Sequence, residues 1–225
     1  RHMQAFKFNH QIAHTVVRIV FSVLNLMGAE ICFVMAPAQS FALTPGQVFD
    51  RVKDSVVVVR TLDKKGKIIN QGSGVLLPSG KIATHRRIIE GGGSFQAGWG
   101  KKLMPAAIYA EDRERDICLL EAGIIGGKPA QLGRTAGLKA GIPVFAVGAP
   151  MGLELSLSSG TIARLRGGPP PLIQSTTAIS PGFEGGGLFD DEGRLVGVSV
   201  IFMEDGLSLY FALPVEWIAE IRHGK

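Results

Sequence analysis

Ile179-Ser180-Pro181-Gly182-Phe183-Glu184-Gly185-Gly186-Gly187-Leu188-Phe189 is the stretch on which the reading of the whole chain turns. Glycines on both sides of one charged residue let the backbone pack tightly and aim its N–H groups into a cleft. Such a loop needs rigid elements around it. On either side the chain is built of short apolar runs separated by turn signals about every eight to twelve residues, the mark of a barrel or sandwich. Strands are expected over 143–148, 155–164, 172–176, 195–201 and 208–213, and before them over 56–62, 72–77, 81–84, 94–98, 103–110 and 117–121. The Gly/Ile segment 123–127 reads as the connection between two halves. Thr44-Pro45 starts a short helix running to about Lys53, with a hydroxyl at the cap and proline at the first helical position. Residues 216–222 close the chain as a helix with Trp217, Ile218 and Ile221 on one stripe.

With 225 residues, 46% hydrophobic, 19% charged, and 30 Gly and 12 Pro, the chain can bury a core in one globular unit or in two small barrels sharing an interface. Its net charge is +5. Residues 1–42 carry three of the cations and one of the anions, so the remainder carries +3. No Lys/Arg cluster is interleaved with aromatics, which argues against a nucleic-acid partner. Gly74 and Gly80-Lys81 do not make a phosphate loop, because Ile82 stands where a hydroxyl is needed. No metal site and no cofactor is expected. Cys118, in the apolar run 117–120, reads as a small buried hydrophobe. Two cysteines, Cys32 and Cys118, specify no disulfide framework.

The glycine-flanked stretch resembles the nucleophile loop of trypsin-like and HtrA-type serine proteases, whose pattern is Gly-x-Ser-Gly-Gly. Four further segments carry the resemblance in the same order and spacing: Gly72-Ser73-Gly74, Arg115-Asp116-Ile117-Cys118-Leu119-Leu120, Val147-Gly148-Ala149-Pro150-Met151-Gly152-Leu153 and Phe211-Ala212-Leu213-Pro214. It implies an all-β fold of two six-stranded antiparallel barrels, the first over 43–125 and the second over 126–225, with an N-terminal helix and a short C-terminal one. It also implies a triad in which serine attacks, histidine takes its proton and aspartate orients the histidine.

This chain departs from that pattern. Asp116 matches the aspartate, but Arg87 stands at the histidine position and Glu184 at the nucleophile position. Arginine is no base near neutral pH, its pKa being above about 12. A carboxylate at 184 places negative charge where an oxyanion would form. The oxyanion-hole positions are Gly182 and Glu184, and the specificity pocket is expected at Ala178, with bulky Phe183 beside the cleft. An Asp116–Arg87–Glu184 ion cluster is expected to fill the site; the alternative turns the two new side chains into solvent. His85 reads as a polar residue at the turn, with a displaced His85–Ser180 or His85–Thr pair as the competing arrangement.

Arg1-His2-Met3 reads as a cloning scar ahead of the natural start. Residues 3–42 follow the order of a secretory signal: a basic stretch with Lys7 and Arg18, the apolar runs 19–29 and 31–36, then small-x-small tripeptides at 36–38 and 40–42. That order predicts a secreted or periplasmic protein. Glu30 splits the apolar run, so no stable membrane span is expected. The competing reading is an N-terminal helix of the folded body. Three function classes follow: a catalytically inactive protease homologue that binds a peptide or protein, a serine endopeptidase with a displaced site, and an assembly protein that forms homo-oligomers through 3–42.

Overall fold

The computed structural model describes residues 42–100, 102–123, 126–152, 154–204 and 207–221. The readings of residues 3–42 as leader or helix, and Cys32 with them, lie outside this range except for Ala42. Helix α1, Pro45–Val52, opens on a capping box: the Thr44 hydroxyl accepts from the Gln47 N–H, and the Gln47 side chain returns to the Thr44 backbone. Its buried Val48 and Val52 seat it on the body of the molecule.

Strands β1 (Val56–Leu62), β2 (Ile68–Leu76), β3 (Ile82–His85), β4 (Ser94–Trp99), β5 (Lys102–Asp112) and β6 (Ile117–Ala122) close a barrel in the order β1-β2-β3-β6-β5-β4. The second barrel is built of β7 (Pro143–Gly148), β8 (Ser156–Arg166), β9 (Leu172–Ser175), β10 (Gly187–Phe189), β11 (Leu195–Glu204) and β12 (Leu207–Pro214), closed as β10-β11-β12-β9-β8-β7. All ladders within these barrels are antiparallel. Closure removes the exposed edges that short strands would otherwise present. Helix α2, Val215–Glu220, follows β12 directly.

Each barrel has its own apolar filling: Val57, Val59, Ile82 and Leu120 in the first, and Val144, Ile162, Ile173 and Leu188 in the second. A third cluster lies where the barrels meet. Val56, Val75 and Ile117 of the first pack there with Phe145, Phe189 and Leu213 of the second, capped by Val48 of α1 and Ile218 of α2. Burying a Val, Leu, Ile or Phe side chain is worth about 1.5–3 kcal/mol, so this shared cluster fixes how the barrels face each other. The cleft between them inherits that rigidity. Cys118 is a free thiol buried in the first barrel, and burial pushes its pKa up to about 12, which leaves it unreactive.

Candidate functional site

Strand register decides which side chains reach the cleft. On β3, His85 lies opposite Ile117 of β6, and the Arg86 N–H donates to the Asp116 carbonyl at 2.8 Å. That pairing sets Asp116 beside His85. Asp116 adopts φ +59°, a left-handed conformation that aspartate tolerates better than most residues. Its carboxylate accepts from Arg86 Nε at 2.9 Å.

His85 stands at the turn as expected, ending β3 ahead of Arg86–Ile89, but it is buried, at 4% exposed. Its Nε2 stands 3.6 Å from Asp116 Oδ2 and its Nδ1 3.9 Å from Glu184 Oε1, so the ring lies between two carboxylates. Both separations fall within ion-pair range but exceed a hydrogen bond. Nδ1 is buried with no hydrogen-bond partner. Among the described residues no hydroxyl bonds either ring nitrogen; Ser180 is exposed.

Arg87 goes elsewhere. It sits in the 3-10 turn Arg86–Ile89, whose Ile88 and Ile89 are buried, while its own side chain is exposed and joins no ion pair among the described residues. The expected Asp116–Arg87–Glu184 cluster is therefore absent. Asp116 pairs with Arg86 instead, which also bridges to Glu90, and His85 takes the place between the carboxylates. The physical reason is hydration. A guanidinium gains little by entering a site where both its charge and the carboxylates must be desolvated, whereas a neutral imidazole enters at small cost.

The loop around Glu184 is pinned by its carbonyls. Met151 N–H donates to Pro181 O at 3.0 Å and Gly186 N–H to Phe183 O at 2.9 Å. In a trans peptide the N–H points opposite to its C=O. The N–H groups of Gly182 and Glu184 are therefore aimed the other way, and neither donates to an acceptor among the described residues. Gly182, at φ +94°, holds a conformation suited to glycine. Ser73 braces this loop against the first barrel. Its hydroxyl donates to Gly182 O at 2.7 Å and accepts from Ala149 N–H at 2.8 Å, while its own N–H donates to Glu184 O at 2.8 Å. Losing that hydroxyl would orphan two buried backbone groups, each costing about 1–3 kcal/mol. Phe183 is 5% exposed, its ring packed on Gly148 in the second barrel's core, and Ala178 is exposed. Sequence reasoning missed Ser73 and Arg86; the signal for Ser73 lay in Gly72-Ser73-Gly74, where a hydroxyl between two small residues can approach another backbone closely. Among the described residues no three His, Cys, Asp or Glu side chains converge to hold a metal ion, and no helix is long and apolar enough to cross a membrane.

Burial pushes the His85 imidazole below its ordinary 6.5; the charges of Glu184 and Asp116 pull it back upward, and Arg87 adds to the lowering. The sign of the consequence follows. Below pH 6.5 the unfolded chain takes up the proton first, so stability is complete above that pH and is lost as pH falls toward the lower folded value. Thermal unfolding followed from pH 7.5 to pH 5 is expected to show this decline, at no more than about 1.4 kcal/mol per pH unit for one proton. His85→Gln should flatten it. A native midpoint that rises as the pH falls through this range would contradict the assignment.

Two closed six-stranded barrels packed on a shared apolar cluster, with a glycine-bounded loop whose Gly182 and Glu184 amides have no acceptor among the described residues, define the architecture of the trypsin-like peptidases. The family model of the trypsin-like peptidase domain matches residues 72–198, more than half of the sequence, and the chain belongs to that family. It is similar to a probable periplasmic serine endoprotease, DegP-like, of Halomonas elongata, at 33% identity over 156 residues, which cover 64% of this chain and 33% of that protein. It is also similar to the anti-sigma-I factor RsgI9 of Acetivibrio thermocellus, at 28% identity over 171 residues, covering 74% of this chain and 24% of that protein. The chain thus spans a third or less of these relatives' length. In fold it matches the crystal structure of the serine endoprotease from Yersinia pestis, with a TM-score of 0.70 and 22% identity over 79% of this chain and 64% of that one.

Proposed function

We propose that this chain is a pseudoprotease: a trypsin-like, HtrA-type domain that binds a peptide or protein without hydrolysing it. The observation that carries this reading is the company His85 keeps. The buried imidazole at the cleft faces two carboxylates and bonds no hydroxyl, so no activated oxygen nucleophile stands beside it. A triad needs nucleophile and base in hydrogen-bond contact at about 2.6–3.2 Å. The amides of Gly182 and Glu184 have no acceptor among the described residues, which supports their taking a carbonyl of a bound chain without chemistry.

The test is binding and cleavage measured on one sample. An extended, unfolded substrate such as reduced casein should associate with the protein and be recovered intact by mass spectrometry after prolonged incubation. Cleavage at defined bonds would overturn the reading, and so would a complete lack of association. The likeness to a probable periplasmic serine endoprotease, DegP-like, and the signal-like order of residues 3–42 both support a location outside the cytoplasm.

A further inference from the structure

Of the two carboxylates at the cleft, only one has its charge matched. Asp116 is held by Arg86. Among the described residues Glu184, with its side chain 22% exposed, has one ion-range neighbour, the ring of His85 at 3.9 Å, and burial works against that ring's taking a proton. No Lys or Arg pairs with Glu184 among the described residues; Arg87 is turned outward. A carboxylate that is partly desolvated and lacks a cation attracts one more strongly than a fully hydrated carboxylate does.

Two other kinds of group lie on the same loop or on segments hydrogen-bonded to it. The free amides of Gly182 and Glu184 can take a carbonyl oxygen. Met151, held in a left-handed conformation at φ 51°, is 75% exposed and bonded through its own N–H to Pro181 of the same loop. On β11, whose Ser199 bonds both Gly185 and Gly186, Phe202 and Met203 are 47% and 73% exposed. Donors for a backbone carbonyl, an unmatched anion and exposed apolar side chains together describe an extended peptide carrying a positive charge.

We propose, resting on the pseudoprotease reading above, that this site selects peptides with a cationic group, seated on the Glu184 carboxylate while a neighbouring peptide carbonyl takes the Gly182 and Glu184 amides. A lysine or arginine side chain and a free N-terminal ammonium share this chemistry. The substitution that removes hydrolysis thereby creates a charge preference that a serine at the same place could not have.

Fluorescence anisotropy with a set of labelled eight-residue peptides tests this. The set contains an N-acetylated peptide with one central lysine, its N-acetylated glutamine counterpart, and the glutamine peptide with a free N-terminus. One charge-assisted contact at a partly exposed site should favour the lysine peptide over the neutral one by about five- to tenfold. Glu184→Gln should abolish that preference, and a circular-dichroism spectrum and melting curve matching those of the native protein show that the variant is folded. The free-N-terminus peptide assigns the cation: tighter binding than its acetylated twin points to the chain terminus, and equal binding with a lysine preference points to the side chain. In the native protein the preference should shrink when NaCl is raised from about 50 to 300 mM, as screening requires. Equal affinity for charged and neutral peptides, or a preference that survives Glu184→Gln, overturns the charge selection and leaves the pseudoprotease standing. Failure of every peptide to bind, or cleavage of any, overturns the pseudoprotease reading itself.

Discussion

Replacing Gly185 with alanine is expected to lower the melting temperature by about 10 °C. Gly185 is wedged where the second barrel's loop crosses the first barrel. A Cβ there would lie 2.1 Å from the backbone carbonyl of Ser73, 2.5 Å from Thr84 Oγ1 and 2.9 Å from Ile88 Cδ1. The first of these neighbours cannot move, since Ser73 sits in the β1–β2 ladder and its carbonyl accepts the Thr84 hydroxyl at 2.7 Å. Gly185 cannot move either, because its N–H donates to Ser199 O at 2.8 Å. The backbone also adopts φ +83°, which costs a residue with a side chain about 1–3 kcal/mol. Overpacking adds about 1–3 kcal/mol. Together these amount to about 2–6 kcal/mol, and each kcal/mol moves the midpoint by about 2–4 °C in a domain of this size. Gly80 supplies the control: its φ is +76°, but nothing lies within 4 Å of an added Cβ, so Gly80→Ala should carry the conformational cost alone. Equal shifts for the two variants would show that the wedge between the barrels is not what Gly185 is for.

That wedge was legible only in part. The fold was readable because most strands are marked by short apolar or β-branched runs between glycine and proline turns, and eleven of the twelve could be placed from the sequence. The twelfth, β10, is Gly187–Phe189, three residues at the end of the glycine loop, too short to show a period of two. Strand β2 begins at Ile68, four residues before its sequence signal, because Ile68 and Ile69 are exposed and lie on no apolar face. At the site, spacing picked out Asp116 and Glu184 but could not say which of three consecutive residues, His85, Arg86 or Arg87, would face them. The register of β3 against β6 decided that, and it depends on pairing across some thirty residues of chain. The same register gave Asp116 its partner in Arg86. Composition carries no record of such pairing, so the expected Arg87 cluster was sound chemistry assigned to the wrong side chain.

Placing a hydroxyl at position 184 is expected to confer no hydrolysis: Glu184→Ser should remain unlabelled by a fluorophosphonate probe. Its hydrolysis of a peptide amide should stay within the residual acceleration of about 10³–10⁴ over water, at least about a hundredfold short of the 10⁶ at which enzymes begin. The substitution does lift one obstacle, since it removes the negative charge beside the Gly182 and Glu184 amides and lets them receive an oxyanion. The proton has nowhere to go. His85 Nδ1 is already 3.9 Å from the tip of the Glu184 side chain, and a serine oxygen sits two bonds nearer to its own backbone. No other imidazole is available among the described residues, and Arg87 faces solvent without a lone pair to offer. Labelling of the single variant would mean that His85 can swing onto a hydroxyl at position 184. In that event only the nucleophile was lost, and the acid–histidine–acid row is a working base waiting for its partner.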